Sequence, residues 1–360
     1  MAARIDPIAA PAARARPWSD AARRRALIAS ALLTLGATLL VLIYLLPLFY
    51  AVNTALRQPT VETDAPFWPA KPRTFTYEGE VYDLYRVPTE DGIREWALVR
   101  KGREQSTFVD PANPTEPIEW VGRWRTLDRV WTFSPNWGNF SEAWTTIRFG
   151  RLFGNTLAIA VLGTVGTLIS STLVAYGFAR FRIPGKSILF LVLIGTIILP
   201  PQVTQIPTYS IFRSIGWTNT WLPLIVPHFF ANAYNVFLLR QFFMGIPRDL
   251  DEAAMIDGAG PIRTLLYVIV PQSIPALFTV GLFHFFWAWN DFFGPLIYLS
   301  GRRELWPISV GMQAFNATYA QRPDLIQATA LMAIALPVVI FLLAQRAFFA
   351  NGVVFTGVEK

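Results

Sequence analysis

Six stretches of this chain run for about 20 residues or more with almost no charge: 26–56, 152–179, 187–212, 214–239, 273–299 and 325–345. An α-helix rises 1.5 Å per residue, so roughly 20 apolar residues cross a hydrocarbon core about 30 Å thick. Asp291 alone breaks the pattern, inside the fifth stretch. A seventh uncharged window, 305–321, is short and carries Pro307, Ser309, Gln313, Asn316 and Thr318, so it reads as an outer loop touching the interface. Composition agrees: 53% of the 360 residues are hydrophobic and 15% charged, against roughly 25% charged in a soluble domain. The expected fold class is an all-α polytopic membrane protein with six transmembrane helices.

Charge distribution orients the spans. Arginine and lysine gather at the N-terminus (Arg14, Arg16, Arg23, Arg24, Arg25), between the second and third spans (Arg180, Arg182, Lys186), between the fourth and fifth (Arg240, Arg248, Arg263), and at the C-terminus (Arg346, Lys360). With six crossings these four segments share a side, and basic flanks mark it as cytoplasmic. Arg302, Arg303 and Arg322 oppose the trend outside, partly offset by Glu304 and Asp324. The formal charge of +7 therefore reflects short flanks, not a nucleic-acid surface; residues 53–150 carry 12 Lys/Arg against 14 Asp/Glu. A cleaved signal peptide is disfavoured, because the first apolar run is too long and no small-residue cleavage site follows it. The chain has no cysteine, and His228 and His284 lie far apart along it, which argues against disulfides and against a metal centre.

The expected organisation follows: a cytoplasmic tail at 1–25, a first span at 26–56, an extracytoplasmic insertion at 57–148, a transmembrane core at 149–346 and a cytoplasmic tail at 347–360. The insertion alternates in Thr74-Phe75-Thr76-Tyr77, in 81–87 and in 96–100, with Asp91-Gly92 able to close a hairpin. Trp68, Trp96, Trp120, Trp124, Trp131 and Trp137 favour packing, so a small β-rich module is expected at about 65–135.

Function concentrates in the cytoplasmic loop 247–275. Pro247 can open a helix, and Asp249, Asp251 and Glu252 suit its positive end. Ala253, Ala254, Met255 and Ile256 make a small apolar surface, Gly258 and Gly260 allow a turn, and a second piece, 262–270, returns toward the membrane and stops at Pro271. Glu252-Ala253-Ala254, Gly258, Val268 and Val270-Pro271 resemble, in register, the EAA loop of ABC importer permeases, with Val in place of the pattern's Ile and Leu. Ala175-Tyr176-Gly177-Phe178-Ala179-Arg180, Pro184-Gly185-Lys186, Trp287-Ala288-Trp289-Asn290-Asp291, Val310-Gly311-Met312-Gln313 and Ala344-Gln345-Arg346 extend the resemblance to the maltose-type permeases of the carbohydrate-uptake branch, over about 139–360. The long insertion after the first span departs from the short-looped members.

The resemblance implies the type I ABC importer permease fold, in a bacterial or archaeal cytoplasmic membrane. It also implies a second homologous permease subunit, two ATPase subunits that bind ATP and Mg, and an extracytoplasmic solute-binding protein. The loop would be the coupling helix seated in an ATPase cleft, with Glu252, Ala253, Ala254, Asp257, Gly258 and Pro271 as coupling residues. The tail 346–360, with Gly352 and Gly357, would reach between the ATPase subunits. Gly185-Lys186-Ser187 is not a P-loop, since Arg180 stands where a glycine is needed and a membrane helix precedes it. No nucleophile–base constellation is present, so hydrolysis belongs to the partner.

Trp287, Asn290 and Asp291 are the candidates for the substrate path or gate, because an ionisable group inside a span faces the interior or a water-filled path. Asp291 either contacts solute or makes an interhelical hydrogen bond that shapes a gate. A secondary transporter would leave the EAA loop unexplained, and a tethered enzyme lacks a catalytic constellation in its insertion. A sugar is the expected solute, with glycerol phosphate open.

Overall fold

A computed structural model describes residues 20–59, 65–317 and 320–350. Arg14, Arg16, Gly352 and Gly357 lie outside the described residues. The chain divides into two units, Met1–Ala51 and Val52–Lys360. The first supplies most of helix α1 (Asp20–Ala55), which continues through Pro47. Its 36 residues give a length of about 54 Å, more than a bilayer core requires.

In the second unit the β-rich insertion contains strands β1 (Ala70–Pro72), β2 (Thr74–Tyr77), β3 (Glu80–Thr89), β4 (Gly92–Arg100), β5 (Gln105–Asp110), β6 (Asn113–Val121), β7 (Asp128–Arg129) and β8 (Trp131–Phe133). An antiparallel sheet runs β2-β3-β4-β5-β6, with β7 also on β3, and β1 pairs with β8 as a separate ribbon. The β3–β4 hairpin turns at Glu90-Asp91, where Thr89 pairs with Gly92, and Gly92 takes a φ of +119°. Glu78 and Gly79, both at positive φ, close the β2–β3 hairpin, the arrangement that suits the twist of the flanking strands. Tyr85, Val87, Trp96, Leu98 and Phe108 form one buried cluster, and Leu84, Ala97 and Val130 another. The six tryptophans divide. Trp96 is buried, Trp120 and Trp124 pack beside it and Trp131 is half-buried on β8, whereas Trp68 and Trp137 are more than half exposed, because they flank the strands instead of pointing into the sheet. Buried Asn139 donates to the carbonyls of Ala55 and Arg57, each at 2.8 Å, so the insertion leaves and returns at one point.

Helix α2 (Gly138–Thr146) leads into α3 (Phe149–Arg180), the centre of the helical part. After it come α4 (Lys186–Gly195), α5 (Pro201–Ser214), α6 (Leu222–Ile225), α7 (Ala233–Gly245) and α8 (Asp249–Ile256). A helix we label α9 spans Pro261–Gln272, α10 is Ile274–Trp289, α11 is Phe293–Tyr298, α12 is Ile308–Gly311 and α13 is Pro323–Ala350. α3 packs against α7 and α10, and α2 against α13. Small residues permit the close approach: a Cβ at Gly163 would lie 3.1 Å from the His228 ring, and one at Gly166 would lie 2.6 Å from Phe229.

Among the described residues four segments are long and apolar enough to cross a membrane: Leu27–Ala55, Phe149–Arg180, Leu222–Gly245 and Pro323–Gln345. Two bent pairs raise the number to six if each counts once: Lys186–Ile198 with Gln202–Ser214 at 99°, and Pro261–Gln272 with Ile274–Trp289 at 82°. Pro200 and Pro201 account for the first bend, since they supply no backbone N–H to bridge it. The expected stop at Pro271 shifts to Gln272, because a π-helical turn at Leu265–Ile269 precedes the proline and already departs from α-helical pairing. The fifth apolar stretch is also shorter as a helix than 273–299. α10 ends at Trp289, so Asp291 lies in a break between α10 and α11 and not inside a helix. The window 305–321 holds short helical turns tied to α3, where Asn155 Nδ2 donates to the carbonyls of Glu304 and Trp306 and Thr156 Oγ1 accepts from Ile308 N.

Candidate functional site

The loop after α7 is a short helix closed by a left-handed glycine. Asp249, Asp251 and Glu252 occupy the first turn of α8, where negative charge complements the helix dipole. At its other end Gly258 N donates to Met255 O at 3.0 Å and Ala259 N to Ala254 O at 2.9 Å, the paired bonds of a Schellman cap. Gly258 takes a φ of +77° with open space where a Cβ would be. The demand for glycine is thus conformational, not steric.

α3 anchors this loop from behind. Arg180 Nε lies 3.0 Å from Asp251 Oδ2, with the two side chains 7% and 11% exposed. Arg180 Nη2 also donates to Ile246 O at 3.0 Å, and Tyr176 Oη donates to Pro261 O at 3.2 Å. Ala175, Tyr176, Ala179, Leu239, Phe243 and Ile269 form the apolar core beneath. Glu252, Ala253, Asp257 and Gly258 are exposed, but Ala254 is buried. The expectation that both alanines face a partner is therefore corrected: α8 presents Ala253 outward and seats Ala254 on its own support. Pro271 lies ten positions beyond Pro261 on α9, about 15 Å along the helix, and contributes to the membrane return instead of the loop tip. Exposed Met255, Ile256 and Ile262 (64%, 87% and 69%) supply the apolar part of the surface. Asp251 and Arg180 escaped assignment as anchors because only folding brings α3 against α8.

The candidate path residues separate. Trp287 meets His228 edge-on and His284 at a 32° tilt, with ring centroids 5.6 and 5.5 Å away, and the imidazoles lie 4.6 Å apart. The two histidines, distant in sequence, are thus neighbours, and His284 Nε2 is 3.2 Å from Thr167 Oγ1. Asn290 lines a different cavity, of about 750 Å³, together with Ser309 and Gln313. Its Nδ2 donates to Phe286 O at 2.8 Å. Asp291 Oδ1 accepts from Gly294 N at 3.2 Å, and its carbonyl accepts from Ser309 Oγ at 2.6 Å, so it braces the break after α10.

Among the described residues, four membrane-length helices and two sharply bent helix pairs, with an exposed loop clamped to α3 by a buried ion pair, have the frame of a polytopic membrane protein. The chain belongs to the family described as binding-protein-dependent transport system inner membrane component, whose model matches residues 171–350. It is similar to the osmoprotective compounds uptake permease protein GgtD of Synechocystis sp., 30% identical and covering 74% of this chain and 88% of that protein. The sn-glycerol-3-phosphate transport system permease protein UgpE of Rhizobium meliloti is 33% identical over 61% of this chain and 79% of that protein. A chain of a solved bacterial ABC transporter involved in import of the acidic polysaccharide alginate matches with a TM-score of 0.62 at 19% identity, over 93% of this chain and 100% of that one. This likeness establishes the ABC importer permease fold. The protein is thus a permease component of a binding-protein-dependent transport system of the inner membrane, with a β-rich insertion near its N-terminus.

Proposed function

We propose that this subunit forms half of a translocation path for a sugar or similar polyol, with the α8 loop carrying the stroke of a separate ATPase. The observation that carries the reading is the build of that loop: an exposed face of Glu252, Ala253, Met255, Ile256 and Asp257, turned by Gly258 and fixed to α3 through Asp251–Arg180. An apolar patch rimmed by acids suits docking to another protein, and its rigid tie to α3 lets a push at the loop move the helix that packs on α7 and α10.

In this reading both bent pairs count as single spans, giving six. Both termini are cytoplasmic and the β-rich insertion is outside. A second homologous permease completes the path, two ATPase subunits bind ATP and Mg, and a binding protein delivers solute. Pro271 orients the membrane return, Trp287 and Asn290 line the passage, and Asp291 shapes its outer gate. The names of relatives include osmoprotective compounds and sn-glycerol 3-phosphate as well as an alpha-glucoside and diacetylchitobiose, and the last two, with the maltose-type motifs, favour a sugar. The test is uptake by the purified complex in proteoliposomes with ATP inside and the cognate binding protein outside. ATP-dependent accumulation is expected; accumulation driven by a proton or sodium gradient without ATP would refute the reading.

A further inference from the structure

The Leu222–Gly245 span is broken near its middle. A 3-10 stretch at Val226–Phe229 gives way to Phe230–Asn232, which is not helical, and the helix restarts at Ala233. Asn232 caps the restart, its Oδ1 accepting from Tyr234 N at 3.0 Å and Asn235 N at 3.3 Å. Non-helical backbone at membrane depth persists only where protein covers it or where it borders a water-filled cavity. Here a cavity of about 590 Å³ adjoins the break, lined by His228, Asn232, Asn235, His284 and Trp287 with two further aromatic side chains. That volume falls within the 300–1,000 Å³ typical of small-molecule sites.

The lining has a definite chemistry. Two asparagines and two imidazoles offer both donors and acceptors, and none of the lining residues is Lys, Arg, Asp or Glu. Trp287 is 59% exposed and presents a large apolar ring beside them. The imidazoles are already in mutual contact, so a proton on one would set its charge against the other ring. Such polar groups are costly against lipid and are expected to face an internal path. A phosphate or uronate ion would find no fixed cation here, whereas a hydroxylated ring can lay its C–H face on Trp287 and exchange hydrogen bonds with the amides.

We propose that this cavity is a solute subsite on the translocation path and that it selects neutral polyhydroxylated solutes over anionic ones. The inference rests on the importer reading above and adds the class of solute and the residues that meet it. Trp287 supplies the stacking surface, while Asn235 and the His228–His284 pair read hydroxyl groups.

The experiment uses the complete reconstituted importer, with sucrose, maltose, sorbitol and sn-glycerol 3-phosphate as radiolabelled probes. Trp287→Ala and Asn235→Ala should each lower uptake kcat/KM for the transported neutral probe about tenfold. Trp287→Phe should retain most of it, and all three complexes should keep wild-type assembly on size exclusion. Variants that assemble and transport like wild type would overturn the subsite while leaving the importer reading intact. Preferred uptake of sn-glycerol 3-phosphate would overturn the neutral selectivity. If wild type accumulates a probe on a proton or sodium gradient without ATP, the importer reading falls and the subsite with it.

Discussion

Replacing Arg180 by Met removes the charge that holds α8 to α3 while keeping an unbranched apolar stem. Asp251 would then remain buried, with Oδ2 stripped of its cation and Oδ1 already without a hydrogen-bond partner among the described residues. Breaking a buried pair from one side costs about 3–5 kcal/mol. The bond from Arg180 Nη2 to Ile246 O would also go, so the upper half of that range is expected. The loop can release that energy by detaching locally, because α8 is only eight residues long. A loss of about 4 kcal/mol raises the open population by roughly three orders of magnitude. Hydrogen exchange of the 251–259 amides in detergent-solubilised complex should accelerate accordingly, with the amides of α3 unchanged. Substrate-stimulated ATPase activity should fall in parallel, since a detached loop transmits no displacement. The double variant Arg180→Met with Asp251→Leu replaces the pair by apolar groups and should restore much of the protection, because an apolar pair avoids desolvating charge. Unchanged exchange in the single variant would refute the claim that this ion pair anchors the loop.

Gly258→Val should weaken coupling of hydrolysis to uptake, since a β-branched residue at φ +77° costs on the order of 1–2 kcal/mol in backbone strain. Gly258→Asn should be milder, as asparagine tolerates that region, and parallel ATPase and uptake assays compare the two. Arg322 binds Glu142 at 2.9 Å and Asp324 at 2.8 Å, and Asp324 is 6% exposed. Arg322→Ala should cost about 2 kcal/mol, read as a lower melting temperature in detergent, while Arg322→Lys recovers part of it. Topology is checked by cysteine labelling at Ile93, 74% exposed on β4. Membrane-impermeant maleimide should react from outside in intact cells, and labelling only from the cytoplasmic side would reverse the orientation.

Much of this protein is legible in one dimension because membranes and turns impose local demands. A span needs a long charge-free run, and such runs stand out in any window. Gly258 could be singled out because a helix ending in a left-handed residue selects glycine from the chain's own backbone geometry. The β2 and β3 alternations likewise report a local period. The outward offsets Glu304 and Asp324 were readable too, and each lies within two residues of the arginine it binds.

Other features depend on segments far apart in sequence. Arg180 and Asp251 meet across 71 positions and His228 and His284 across 56. No window contains both partners, and nothing in either neighbourhood announces the other. The sequence also grouped Trp287, Asn290 and Asp291 by proximity along the chain. The end of α10 at Trp289 sends them to three environments, because a helix turned through 100° per residue and then broken does not keep neighbours on one side. Composition and spacing by themselves determined a six-stretch membrane chain with a β-rich insertion and an EAA-like loop. Which side chains hold that loop, and which polar groups share a cavity, only the tertiary structure decided, since both rest on contacts between separately folded helices.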